Sequence, residues 1–291
     1  MRAARLGFAS HTHLPPPFLR LFRSFFMSAP IRLPHAQLTA GAQREPGTFA
    51  ASISHLSSMS PTVKFLSLRV RGEAETGTAE DGQGRENEED RSGQVGFSFK
   101  AGQWVDFFAP GVSTIGGFSI VSTMRKYKEE GLVDLAVKTS SNPPVEWIHN
   151  QAKVGDEVRI RVGGDYHLPS VEALAGQSLL FVAGGIGINP LYAMMEEVAE
   201  MKRRGEVGTP VSLLYSAKEE EELVFRPHID ALCSSLSSTY RRYYVSTSSH
   251  SEGREGGEGG GERGGKKEGE EGSVNVGRIT REVVDDAVAQ L

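Results

Sequence analysis

"LLFVAGGIGINPLYAMMEEVAEMKRR", residues 179–204, is the stretch on which the fold turns. Apolar residues run unbroken to Ala183, glycines stand at 184, 185 and 187, and Leu191, Met194, Met195 and Val198 then recur at helical spacing. A short apolar run followed by that periodicity reads as a buried strand handing over to an amphipathic helix. Glycines at the handover let the backbone turn sharply and let a ligand come close to it. The unpaired N–H groups of the helix start, with the helix dipole behind them, suit a pyrophosphate. The candidate cradle is therefore "GGIGINP": Gly184, Gly185, Ile186, Gly187, Ile188, Asn189 and Pro190. The strict G-x-G-x-x-G fingerprint is not met, because Pro190 stands where the third glycine would fall. A tight strand–helix turn with no ligand would use the same residues, so the loop alone leaves both readings open.

Working outward, the chain divides into two blocks. From 176 to 291 strands alternate with helices. "SLLFVAGG" is followed by a helix over 189–204, "PVSLLYSA" by a helix over 226–236, and "RRYYVSTS" is a third strand, with "RITREVVDDAVAQ" helical near the end. Alternation of this kind makes a parallel sheet with helical crossovers. From 61 to 168 the pattern is instead one of short strands: "TVKFLSLRV", "VGFSFK", "QWVDFFAP", "GGFSIVST", "LVDLAVKT" and "EVRIRVGG". Glycine, proline and acidic turns separate them, as in a small antiparallel barrel or sandwich. One helix is expected inside this block at "PVEWIHNQ", with Pro144 suited to its first turn.

Two segments read as surface insertions. Residues 72–94 hold eight acids, two arginines and no large apolar side chain, and residues 249–273 hold ten glycines. Neither can bury enough apolar surface to offset the entropy of ordering. Residues 1–44 differ again, with six arginines and no acid. Phenylalanine, leucine and alanine are interleaved among those arginines, the composition of a mitochondrial transit peptide; a disordered basic tail is the plainer alternative. Its removal would take the formal charge from −5 to near −11. With a pI of about 6.0 the chain does not suit a general nucleic-acid binder. No stretch reaches the roughly 18 apolar residues of a membrane span. The single cysteine, Cys233, can form neither an internal disulfide nor a thiolate cage, which points to a reducing compartment.

Barrel first, then strand–"GGIGINP"–helix, resembles the ferredoxin-NADP reductase superfamily. "KAGQWVDFFAPG" is similar to the strand preceding its flavin motif, "GGFSIVST" stands where it has R-x-(Y/F)-S, and "VGDEVRIRVGGDYHL" is similar to its closing strand. "LLYSAKEEEELVF", with Glu222, Leu223 and Phe225, matches the run after its second nucleotide-domain strand. The resemblance covers about residues 61–291. It implies an antiparallel FAD-type β-barrel followed by a Rossmann-like nucleotide-binding domain. The implied activity is hydride transfer between NAD(P)H and FAD, with electrons passed to an acceptor the sequence does not identify. It places Phe118 on the aromatic that packs against the flavin and Ser119 on the hydroxyl near flavin N5. It assigns the nicotinamide dinucleotide to Gly184–Pro190.

The departures from the pattern are specific. The arginine that pairs with the FAD pyrophosphate falls on Gly116, and the phosphate-binding G-x-x-(S/T) helix start falls on "NPPVEW", with no hydroxyl in register. Lys138 or Arg125 are the candidate substitutes. The family's late Cys-Gly loop and aromatic tail have no counterpart, and Cys233, on an expected helix without a following glycine, is a packed small residue. The nucleotide block is thus expected to be incomplete at its C-terminus, as in a shortened gene product, with three clear strands, an unpaired sheet edge and one wall missing from the cleft. Glu219–Glu222 form an acidic face from which one member could bind a ribose hydroxyl, whereas Lys218 could favour a 2′-phosphate, so NAD and NADP both remain open. His149 and His167 lack metal-ligand spacing. The function is then either a flavin-dependent oxidoreductase or a nucleotide-binding protein that kept the fold and lost the flavin anchors.

Overall fold

A computed structural model describes residues 18–25, 34–75, 96–236, 240–246, 274–277, 279–289 and 291. The chain begins with strand β1 (Phe18–Phe25) and a short helix α1 (His35–Leu38). Strands β2 (Thr48–Ser60) and β3 (Val63–Glu75) form a long hairpin. There follow β4 (Trp104–Phe108), β5 (Gly116–Ser119), α2 (Met124–Glu130), β6 (Leu132–Lys138), α3 (Pro143–Asn150) and β7 (Glu157–Gly163). These six strands form one antiparallel sheet in the order β5-β4-β7-β2-β3-β6. Its edges meet only through an isolated bridge, Ile120 with Leu135, so the expected barrel curls round without a continuous closing ladder.

The second block opens with α4 (Val171–Leu174) and β8 (Gln177–Gly184). Then come α5 (Ile188–Arg203), β9 (Val211–Ala217), α6 (Arg226–Ser235), β10 (Tyr240–Ser246), β11 (Val274–Val276) and α7 (Arg281–Ala289). Its sheet is wholly parallel, in the order β1-β8-β9-β10-β11. Helix α5 forms because its apolar residues share one face: Leu191, Met194, Met195 and Val198 are fully buried. Each such side chain contributes roughly 1.5–3 kcal/mol by leaving water. The helix stops at Gly205, whose φ of +73° follows basic residues Lys202 and Arg203 in the last turn.

The two blocks share their core. Val63, Ala101, Val121, Ala136 and Leu168 of the antiparallel block pack in one cluster with Leu191, Met194 and Phe225. Polar ties cross the same interface: Glu222 Oε1 accepts from Thr62 Oγ1 at 2.9 Å and from Lys138 Nζ at 2.8 Å.

Several expectations are corrected here. The antiparallel block starts at β2 and not at residue 61. The missed strand "TFAASISHLSSMS" buries Phe49, Ala51 and Ile53 but sets serines and a histidine between and after them, which hides its alternation. "VGFSFK" is not a strand: residues 96–100 are irregular, and Phe97 and Phe99 reach the core from a loop. Residues 1–44 are not uniformly a leader or a disordered tail. Phe18–Phe25 is a sheet strand, and Arg44 is tied into a buried ion cluster. An edge left unpaired for want of a further parallel strand was expected; at β8 such a strand is supplied by β1, which pairs over all eight residues, from Phe18↔Gln177 to Phe25↔Gly184. The sheet therefore has five strands and not three. The first four residues of the insertion proposed at 72–94 belong to β3; residues 76–94 and the glycine loop at 249–273 lie outside the described residues.

Candidate functional site: a glycine turn at the carboxyl edge of a parallel sheet

Strand β8 ends at Gly184, a single 3-10 turn spans Gly185–Gly187, and α5 starts at Ile188. The turn depends on Gly185, whose φ of +53° lies in the left-handed region that L side chains avoid. A Cβ built there meets nothing within 4 Å, so the glycine opens its face to whatever approaches the turn. Gly187 behaves differently: its φ is −62°, and it is buried. No side chain caps the start of α5, and its first turn holds no acid, so the positive end of the dipole is not offset there; the Ile188 N–H bonds back to the Gly185 carbonyl and Pro190 has no N–H.

The seven loop residues divide by face. Gly184, Gly185 and Ile186 are half-buried and border the opening, whereas Gly187, Ile188, Asn189 and Pro190 are buried. Asn189 is only 4% exposed, and its Nδ2 donates to the Ala136 carbonyl of β6 at 2.7 Å. Its Oδ1 is buried without a partner. Asn189 therefore ties the glycine loop to the antiparallel block, a long-range contact that residue type and spacing do not signal.

The carboxyl ends of the neighbouring strands complete the site's frame. On one side Gly184 pairs with Ser216 of β9. Beyond β9, Lys218 Nζ lies 3.7 Å from Glu219 Oε1, and Ser246 Oγ donates to the Lys218 carbonyl at 3.2 Å. Glu222 faces the other block, where hydrogen bonds and charge from Lys138, with a bond from Thr62, hold its carboxyl below the usual range despite opposing burial. On the other side Gly184 pairs with Phe25 of β1, and the backbone of β1 runs beside the glycine turn.

The residues expected to hold a flavin are arranged less favourably. Phe118 and Ser119 both lie on β5 beside β4. Phe118, however, is only 9% exposed and packs edge-on against Phe107 with ring centroids 5.4 Å apart, so its ring forms core and no open platform. At Gly116 a Cβ would stand 2.8 Å from the Phe118 ring and 2.9 Å from Pro144, leaving no room for the missing arginine. Helix α3 begins with Pro143 and Pro144, so two of its first N–H groups do not exist, and Glu146 adds negative charge to its first turn. The candidate substitutes are engaged elsewhere: Lys138 with Glu222, and Arg125 with Glu129 and Glu200. These residues do not fit an FAD pyrophosphate.

A second charged cluster escaped the sequence reading. Asp106 on β4 is 1% exposed and accepts from His35 Nε2 at 2.9 Å, Arg44 Nε at 2.8 Å and Arg161 Nη2 at 2.6 Å. Burial would raise its pKa, but the three hydrogen bonds and the Arg161 charge outweigh that and hold it well below the carboxylate range. His35 packs edge-on to Trp104 at 4.6 Å and occupies the space a side chain at Gly117 would need. The only signal in the sequence was the pairing of an acid inside an apolar strand with arginines far away. His149 and His167 bond to the Val137 and Leu168 carbonyls, and Cys233 is buried on α6.

The profile of the oxidoreductase NAD-binding domain matches residues 181–261, which begin inside β8 and include the glycine turn. The chain is similar to an oxidoreductase NAD-binding domain-containing protein 1 of Bos taurus, 40% identical over 74% of this chain and 64% of the relative. It is also similar to the protein of that description from Danio rerio, 36% identical over 78% of this chain and 77% of the relative. It thus spans a little under two thirds of the bovine relative's length. Among solved structures, the ferredoxin-NADP+ reductase from Plasmodium falciparum superposes with a TM-score of 0.53 at 14% identity, covering 69% of this chain and 70% of that one.

Proposed function

From the chain's membership of the oxidoreductase NAD-binding domain-containing protein 1 family, we propose that it binds a nicotinamide dinucleotide across Gly184–Pro190 and moves reducing equivalents between it and an acceptor. The observation that carries the reading is Gly185, in the left-handed region with open space above it, at the carboxyl end of β8 and just before an uncapped helix start. Gly184 and Ile186 border the same opening, while Gly187, Ile188, Asn189 and Pro190 set the turn from beneath. NAD is favoured over NADP. Lys218 is offset by Glu219 at the end of β9, the position from which an acid reads an adenosine ribose hydroxyl.

Hydride transfer to FAD is what the ferredoxin-reductase resemblance implies, but among the described residues the positions expected to anchor its pyrophosphate do not fit it, and no step of the proposal runs through it. That misfit favours a second reading, in which the chain binds the dinucleotide and does not turn it over. Calorimetry with NADH and NADPH tests the binding. NADH-driven ferricyanide reduction separates the two readings. Binding of NADH several-fold tighter than NADPH is expected, and absence of binding to either refutes the proposal. The basic N-terminus retains its reading as a mitochondrial address, restricted now to the residues before β1.

A further inference from the structure

The parallel sheet runs outward from β8 in two directions. The chain passes from β8 through α5 to β9 and on to β10, whereas β1, from the far N-terminus, flanks β8 on its other side. In an open parallel sheet a dinucleotide lies outside the carboxyl ends of the strands, in the crevice where the strand order reverses. Here that crevice lies between β1 and β8. The acid that reads the adenosine ribose follows the second strand of such a unit. Glu219 follows β9, so the adenosine half lies on the β9 side and the nicotinamide half is left to the β1 side.

The register places β1 suitably for this. Its last residue, Phe25, is level with Gly184, and the strand's backbone runs beside the Gly185–Gly187 turn. Ten residues beyond β1, His35 begins the second attachment. His35 and Arg44 both bond to buried Asp106 on the antiparallel block. The N-terminal segment is thus held by one sheet in each block. We propose that β1 is the nicotinamide-side wall of the dinucleotide crevice. This rests on the nucleotide-binding reading above and adds to it that the chain's own N-terminal strand is part of the site.

Hydrogen exchange on the full, unmodified chain tests this with NADH and ADP-ribose as probes. NADH is expected to slow exchange of amides in residues 18–25 as well as 184–187. ADP-ribose, which lacks the nicotinamide, should slow 184–187 and leave 18–25 unchanged. If both ligands bind but neither slows 18–25, or both do so equally, the wall is refuted while the nucleotide reading stands. If the full chain binds neither ligand, the nucleotide reading itself has failed. A Leu21→Pro chain removes a backbone N–H from the middle of β1. Its NADH affinity should fall about tenfold or more and its ADP-ribose affinity less than about twofold, since a lost wall affects only one half of the ligand. Equal losses for both ligands would make β1 a purely structural strand and overturn the proposal.

Discussion

Replacing Gly185 by valine separates what the turn needs from what the ligand needs. The residue sits at φ +53°, and a Cβ there meets no atom within 4 Å. The substitution therefore creates no clash in the free protein, and its cost to folding is the left-handed backbone penalty, about 1–2 kcal/mol. For a chain of this size that lowers Tm by roughly 2–8 °C. The ligand is affected far more, because the new side chain fills the space through which a pyrophosphate reaches the backbone N–H groups. Each charge-assisted hydrogen bond contributes about 1.5–3 kcal/mol, so losing two weakens NADH binding by roughly 100-fold or more. Gly205, at φ +73° with equally open surroundings at the end of α5, is the control. Gly205→Val carries the same backbone penalty away from the site, so it should lower Tm similarly and leave NADH affinity unchanged. Thermal melting and calorimetry on the two variants and the parent decide the matter. A Gly185→Val protein that binds NADH as tightly as the parent refutes the cradle.

Asp106→Ala should destabilise the fold by about 3–5 kcal/mol, because it leaves Arg44 and Arg161 partly buried without their carboxylate. Asp106 has a depressed folded pKa, so its contribution is present above its unfolded value near 3.8 and is lost as pH falls below that. Melting curves taken into that range should therefore fall more steeply for the parent than for the variant. Glu222→Gln should lower Tm while changing NADH affinity less than about threefold, since its carboxylate bonds to Thr62 and Lys138 across the domain interface. A fluorescent protein fused behind residues 1–44 should reach mitochondria, and replacing Arg2 and Arg5, which precede β1, by glutamate should weaken import. N-terminal sequencing of the imported full chain should place its start before Phe18, because a later cut would strip β1 from the sheet.

The nucleotide half was legible because its signals are local. A buried strand, a glycine turn and an amphipathic helix occupy 26 consecutive residues, and β8, α5, β9 and α6 fall where their periodicity puts them. Even so, two of its glycines looked alike in sequence. Gly187 looked equal to Gly185, and only backbone geometry distinguishes a φ of −62° from one of +53°. Strand β1 was not legible at all. Its partner lies about 160 residues away in sequence, and its arginines fit an import signal as well as a strand. Helix α2 was missed because it is short, polar and buries none of its residues; Thr123 and Gly131 cap it, and tertiary context holds it in place. Asn189 was read as a ligand contact from its place in the motif. Its contact with Ala136 depends on how the two blocks pack.

The antiparallel block leads to the last expectation, that the purified protein carries no tightly bound flavin. A pyrophosphate at the start of α3 would meet two prolines without N–H groups and the carboxylate of Glu146. The next two N–H groups, of Val145 and Glu146, already bond to the Asn142 carbonyl at 2.8 and 3.0 Å. The isoalloxazine would have to displace Phe118 from its packing against Phe107, and exposing a phenylalanine ring forfeits roughly 1.5–3 kcal/mol before any contact is made. Restoring the family's arginine does not repair this, because Gly116→Arg drives a side chain into Phe118 and Pro144. That variant should lose stability by about 1–3 kcal/mol or more and gain no flavin. The visible spectrum of the full chain, purified with FAD added throughout, is the measurement. A stoichiometric flavin band would show that the ring of Phe118 swings out and that the pyrophosphate finds another anchor. The misfit would then belong to the free protein alone, and hydride transfer to FAD would return as the leading chemistry.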